Sequence, residues 1–151
     1  SVRGSQAQRT QMAECEDVVR RYRDARQSEG GRGVWSGLAY VAMVEDTTIA
    51  TRVLEYRMRD DIETPGGLVA GALTDTLEDG LSMVYSFYDP AETVRGLGTF
   101  MVLDHIERAR TLGLPYVYLG YWVEGSRKMA YKTRFRPLEA LTPEGWRKLP
   151  E

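Results

Sequence analysis

Cysteine and histidine are nearly absent from this chain, with one of each, Cys15 and His105, among 151 residues. A single cysteine excludes an internal disulfide and a cysteine cage for zinc, and a single histidine excludes a multi-histidine metal centre. No apolar run approaches the roughly 20 residues that a bilayer span requires. The opening stretch S-V-R-G-S-Q-A-Q-R-T lacks the apolar core of a secretory signal. A reducing, cytoplasmic compartment is therefore expected. The first residue is not Met, so a processed product or a fragment is expected too. An excess of basic charge is also missing: the net charge is −2, which argues against a nucleic-acid binder driven by charge alone.

The charge that is present is unevenly placed. Residues 37–94 carry 3 basic and 11 acidic side chains, whereas residues 95–136 carry 8 basic and 3 acidic ones. Two readings stand: ordinary surface solvation, or a basic face that binds a polyanion while the acidic half faces elsewhere. The length suits one domain with a real core, with 42% hydrophobic and 28% charged residues.

Helical spacing of Met12, Cys15, Val18, Val19 and Tyr22 predicts a helix over 12–27, ended by S-E-G-G-R-G at 28–33. Residues 35–48 read either as a helix or as an irregular segment. Strands are expected at 51–57, 68–74 and 81–88, joined by a hairpin connection at 60–67 and a turn at Glu78-Asp79-Gly80. They form an antiparallel meander that ends at Asp89-Pro90. A helix over 98–112 is expected to bury Val102, Leu103, Ile106 and Ala109, with Gly113 as its cap and Pro115 beyond it. A strand over 116–121 should return parallel to its predecessor. A short helix capped by Ser126, a strand over 135–141 and a cap-like turn at Thr142-Pro143-Glu144 complete the chain.

The segment from Tyr85 to Glu139 thus runs strand, Arg-Gly-x-Gly turn, helix, strand, short basic helix, strand. It sets backbone N–H groups at a helix N-terminus, a place suited to the phosphates or carbonyl of an activated acyl donor. The fold class is α/β (α+β): a mixed sheet with a central helix after the Arg-Gly-x-Gly turn. This plan resembles the GNAT acyltransferase fold. R-G-L-G-T at 95–99 resembles that family's phosphate loop, although its last small residue is replaced here, and A-Y-K-T-R-F at 130–135 loosely resembles its tyrosine-bearing segment.

A longer resemblance is more specific. A-L-T-D-T-L-E-D-G-L-S-M-V-Y-S-F-Y-D-P (72–90) and the run from Leu97 to Glu139 are similar to the bacterial aspartate/glutamate leucyltransferases, relatives of the arginyl-tRNA–protein transferases. The resemblance covers residues 45–147 and is strong from 72 onward; residues 1–36 match poorly beyond a hint in R-R-Y-R-D-A-R (20–26). It implies a GNAT-like catalytic domain at 37–151 behind an N-terminal helical segment at 1–36. It also implies leucine transfer from leucyl-tRNA to an N-terminal Asp or Glu of a protein, which marks that protein for degradation by the N-degron route. Members of the family carry a cysteine-containing N-terminal domain that has no counterpart in these residues, so a fragment or a shortened paralogue is expected.

Transfer from an ester to an amine needs proximity, one proton acceptor and oxyanion stabilisation, and no metal or cofactor. On this resemblance Arg95, Gly96, Leu97 and Gly98 are the site for phosphate or ribose of the tRNA 3′ end, or else a tight strand-to-helix turn. Arg127, Lys128 and Lys132, with Arg134 and Arg136, form a cationic patch for tRNA backbone, or a solvated face. Among the aromatics, Tyr85, Tyr118 and Tyr121 are candidates for stacking on the terminal adenine, or parts of the core. Glu124 is the general-base candidate, or a cap for the helix near Ser126. Tyr131 is a general-acid candidate at the ribose oxygen, or a packed tyrosine. Asp75 and Asp79 read as turn-formers, His105 as structural and Cys15 as packed. The expected partners are aminoacyl-tRNA and a protein with an acidic N-terminus, with neither membrane nor DNA. Two alternatives remain: an acetyl-CoA-dependent N-acetyltransferase, and a non-catalytic tRNA- or protein-binding paralogue. The hinge and the basic segment are expected to share a cleft.

Overall fold

A computed structural model describes residues 6–28, 50–59 and 66–150 of the chain. The chain divides into two compact units, Ser1–Tyr118 and Leu119–Glu151. The expected division at residue 36 and the ambiguous stretch 35–48 lie outside the described residues.

In the first unit, helix α1 (Gln6–Ser28) begins earlier than its apolar spacing predicts. Cys15, Val18 and Val19 form its buried stripe, three and four residues apart as one helix face requires. Strands β1 (Ala50–Arg57), β2 (Leu68–Thr76) and β3 (Gly80–Tyr88) pair antiparallel, as the meander predicts. Leu77 N–H donates to Gly80 O at 2.9 Å and closes the β2–β3 turn. The 60–65 part of the β1–β2 connection lies outside the described residues. Strand β4 (Tyr116–Tyr118) pairs parallel with β3, giving a mixed sheet of order β1-β2-β3-β4. It stops short of the expected Tyr121, because Gly120 takes a φ of 73°, outside the extended region.

Side-chain alternation along the strands separates two packed faces. Against α1 stand Val53, Leu68, Tyr85 and Phe87. Against the second helix, α2 (Leu97–Thr111), stand Thr74 and Tyr56, whose hydroxyl donates to Asp104 Oδ2 at 2.7 Å. The sheet is therefore covered by a helix on each face.

Helix α2 is rotated from the expected orientation. Leu97, Met101, Val102, His105 and Ala109 are buried, while Leu103 is 53% exposed and Ile106 is half-buried. The cause is His105, whose ring nitrogens are both satisfied inside. Nδ1 donates to Met101 O at 2.6 Å, and Nε2 accepts from Thr74 Oγ1 at 2.8 Å. A hydrogen-bonded imidazole can occupy the core stripe that an apolar count assigns to leucine. The helix ends as expected: Gly113 has φ 71°, and Gly113 N–H and Leu114 N–H donate to Arg110 O and Ala109 O, the paired pattern of a left-handed glycine cap.

The buried imidazole makes a testable pH dependence. Desolvation holds the ring's pKa below its usual 6.5, so the unfolded chain takes up a proton that the folded chain refuses. The stabilisation is complete above the unfolded pKa and falls as pH drops below about 6.5, by at most about 1.4 kcal/mol per pH unit. Urea unfolding between pH 7.5 and 5 should show this slope, and His105→Gln should flatten it. Asp17, Asp89 and Asp104, with lowered pKa values, contribute only in stronger acid.

The second unit corrects three expectations. The short basic helix is a 3-10 segment, Ala130–Arg134, entered from Met129 without a side-chain cap, so Ser126 does not cap it. The strand expected over 135–141 is β5 (Glu139–Thr142), which pairs with β6 (Gly145–Lys148) in a separate two-stranded sheet. The Thr142-Pro143-Glu144 turn is the hairpin corner between them. Thr142 Oγ1 donates to Gly145 O at 2.9 Å and accepts from Glu144 N–H at 3.3 Å. Proline at a turn corner serves a hairpin as readily as a helix start.

Candidate functional site

The hinge into α2 is built from the end of β3. Asp89 accepts a hydrogen bond from Ala91 N–H at 3.0 Å and starts the 3-10 segment Pro90–Arg95. Arg21 of α1 donates to the same carboxylate at 2.6 Å. Burial alone would raise the Asp89 carboxyl; the Ala91 N–H and the Arg21 guanidinium outweigh it and hold the group below the usual carboxylate range. The 3-10 segment is thereby fastened to the first helix.

Gly96 then takes φ 61° and ψ 41° and acts as the N-cap of α2. A residue with a Cβ is strained there. Its carbonyl accepts from Phe100 N–H at 3.0 Å, but it offers no side chain to the first turn. The N-terminal peptide groups of α2 therefore present N–H donors and the positive end of the helix dipole. Leu97 is buried and acts as the anchor, so it offers only its backbone outward. Arg95 is exposed and ion-paired with Glu92.

Two expected carboxylates have partners. Asp79 lies in the β2–β3 turn and accepts from Tyr118 OH at 2.7 Å; that bond raises the Tyr118 phenol. Asp75 is not in a turn: it sits within β2 and accepts from Thr51 Oγ1 across the β1–β2 pair. The Asp79–Tyr118 contact joins residues 39 apart and leaves no local signal in the sequence.

Tyr85 is half-buried against the α1 core cluster, 6.3 Å from the Phe87 ring. Burial pushes its phenol up, while the charges of Arg23 and Arg26 pull it down. These two arginines lie one helical turn apart on α1. Arg26 stands 4.9 Å over the Tyr22 ring, which meets Tyr88 edge-on at 4.9 Å. Arg23 Nε is buried and meets no hydrogen-bond partner among the described residues. The sequence signal for this cluster is the R-R-Y-R-D-A-R run at 20–26.

In the second unit, Lys132 Nζ donates to Leu119 O at 2.7 Å and to Tyr121 O at 2.9 Å. Desolvation lowers its pKa. The structure thereby brings the Tyr121 backbone beside the 3-10 segment that carries Tyr131 and Lys132. Tyr121 itself is 90% exposed. Glu124 is an exposed corner residue of the turn closed by Ser126 N–H to Val123 O at 3.1 Å. Tyr131 and Lys128 are half-buried, and Arg127 and Arg134 are exposed. Arg136 is committed to backbone, donating to Thr133 O, Phe135 O and Pro150 O. Among the described residues no group of three or more His, Cys, Asp or Glu could hold a metal ion, and no helix is long and apolar enough to cross a membrane.

Comparison with known proteins bears on these features. The family model described as arginine-tRNA-protein transferase, C terminus, matches residues 14–142, a span that takes in α1 from Glu14 onward, the hinge, α2 and the cationic segment. The chain is 71% identical over 133 residues to an aspartate/glutamate leucyltransferase of Parvibaculum lavamentivorans, covering 88% of this chain and 53% of that protein. It is 61% identical over 130 residues to that of Afipia carboxidovorans, covering 85% and 52%. It is 57% identical over 140 residues to that of Nitrobacter hamburgensis, covering 91% and 54%. The chain spans about half the length of these curated relatives.

Proposed function

The chain belongs to the arginine-tRNA-protein transferase family, and from that premise we propose that it carries out leucine transfer from leucyl-tRNA to an N-terminal Asp or Glu of a protein. The observation that carries this reading is the match over residues 14–142, joined to relatives named for leucyl transfer. The reading brings a cytoplasmic setting with it, because charged tRNA is found there, and it places the activity in the N-degron route.

The chemistry asks little of the protein. The substrate's α-amine attacks the ester carbonyl, the ester C–O bond breaks, an amide forms, and the tRNA leaves with its ribose hydroxyl restored. In this reading Glu124 takes the proton from the amine and Tyr131 returns one to the ribose oxygen. The N–H groups at Gly96–Gly98, with Arg95, hold phosphate or ribose of the tRNA 3′ end. Arg127, Lys128 and Lys132 act on the tRNA backbone, Lys132 through its charge, since its ammonium protons are engaged with carbonyls. Tyr121, exposed, is the candidate for stacking on the terminal adenine. Tyr85 and Tyr118 are candidate substrate contacts at the edges of their packed positions.

The test is direct. The 151-residue chain, and the same chain joined to the N-terminal half of the Parvibaculum relative, are mixed with leucyl-tRNA and peptides that begin with Asp or Glu. Acetyl-CoA replaces leucyl-tRNA as the control donor. Leucine on the peptide's α-amine is the expected product. Its absence from the joined protein rejects the reading.

A further inference from the structure

Arg23 is the one buried polar side-chain atom set, among the described residues, that the fold leaves without a hydrogen-bond partner, through its Nε. A guanidinium N–H with no acceptor is costly when buried. Its surroundings have the character of a small recognition site. Tyr22, next to Arg23 in the chain, meets Tyr88 edge-on, Tyr22 and Tyr85 pack against the α1 core cluster, and Arg26 stands over the Tyr22 ring. The two guanidinium groups act on the Tyr85 hydroxyl from α1. Arg20 and Arg21, by contrast, are ion-paired with Asp17, and Arg21 also with Asp89.

We propose that Arg23, framed by Tyr22, Tyr85 and Arg26, receives the side-chain carboxylate of the acceptor protein's N-terminal Asp or Glu. The proposal rests on the leucyl-transfer reading and names the residues that make it selective for acidic N-termini. One carboxylate fits the site better than a nucleic-acid phosphate for two reasons. Arg23 and Arg26 are half-buried and Arg26 stands over the Tyr22 ring, a setting that suits a single planar anion held by a guanidinium fork. Asp17 and Asp89 also engage Arg20 and Arg21 in ion pairs, so α1 does not offer the run of cations along which an extended polyanion is held. An asparagine or glutamine N-terminus leaves the Arg23 donors unneutralised, so a site built for the ion rejects its amide isostere.

The experiment compares wild-type protein with Arg23→Gln and Arg23→Lys. It measures leucine transfer to peptides beginning Asp, Glu, Asn and Gln, calorimetric binding of the same peptides, and binding of uncharged tRNA. Arg23→Gln should lower kcat/KM for Asp and Glu peptides roughly 10- to 100-fold, with Asn and Gln peptides and tRNA affinity unchanged. Arg23→Lys should retain part of the preference, since it keeps charge but not the fork. Equal acidic preference in all three proteins overturns the proposal while leaving the transferase reading standing. A loss confined to tRNA binding overturns it in favour of a phosphate site. If the wild type transfers no leucine, the leucyl-transfer reading fails separately, and calorimetry decides the site: acidic preference lost in Arg23→Gln upholds it, and no preference in the wild type overturns it. Thermal melts of both variants establish that each is folded.

Discussion

Replacing Phe87 with Ala should lower the unfolding free energy by about 3–5 kcal/mol, a large part of the roughly 5–15 kcal/mol that holds a domain together. Phe87 is fully buried and joins Cys15, Val18 and Val19 of α1 to Leu68 of the sheet. The neighbouring strand has made room for its ring. At Gly71, paired with Phe87 across β2 and β3, a Cβ would lie 2.3 Å from Phe87 Cζ. Removing the ring therefore leaves a void beside a residue with no side chain to fill it, and backbone hydrogen bonds on both strands resist collapse. Urea titration should show a lower midpoint with an unchanged slope. Leu103→Ala, on the exposed face of α2, should stay within about 0.5 kcal/mol of wild type. A Phe87→Ala loss as small as that would mean that α1 does not seal this face of the sheet.

Glu124→Gln should reduce kcat for leucyl transfer about 100-fold or more, the range for loss of a general base. KM for either substrate should change little. The structure separates this outcome from an indirect one. The turn is closed by backbone, Ser126 N–H to Val123 O, and Gly125 supplies the positive φ of 79°. The Glu124 side chain points into solvent at the corner, and the following 3-10 segment has no side-chain cap. The amide is nearly isosteric and leaves that geometry intact, so circular dichroism and melting temperature should not move. Tyr131→Phe should have a smaller effect on kcat, because a ribose alkoxide can also take its proton from water. A Glu124→Gln enzyme within a few-fold of wild type, unaffected in its pH–rate profile, would remove Glu124 from the chemistry and return the search to the remaining exposed carboxylates.

The strands and α2 could be read in the chain because their signals are local. Alternation in β1 and β3, the short apolar run of β2, Glu78-Asp79-Gly80 between two strands, and Gly113 ahead of Pro115 each act within a few residues. The rotation of α2 could not be read, because it depends on Thr74, 31 residues away, completing the hydrogen bonding of His105. The second unit misled for a related reason. Ser126 and Thr142-Pro143-Glu144 carry turn chemistry that helices and hairpins share, and the choice fell to pairing between β5 and β6. For the candidate site, the hinge was legible from glycine spacing. The engagement of Lys132 with two carbonyls and the buried, unpartnered Nε of Arg23 were not, since both are fixed by groups on other segments.

The sequence by itself determined the family, the α+β class, the meander and the glycine entry to α2, because covalent backbone preferences and apolar periodicity act over a turn or a strand. Only the tertiary structure decided which face of α2 is buried, which cations are held by the protein's own carbonyls, and which arginine keeps a buried N–H without an acceptor. Those outcomes depend on whether a polar group finds a partner across tens of residues, and a lone side chain's identity does not carry that information.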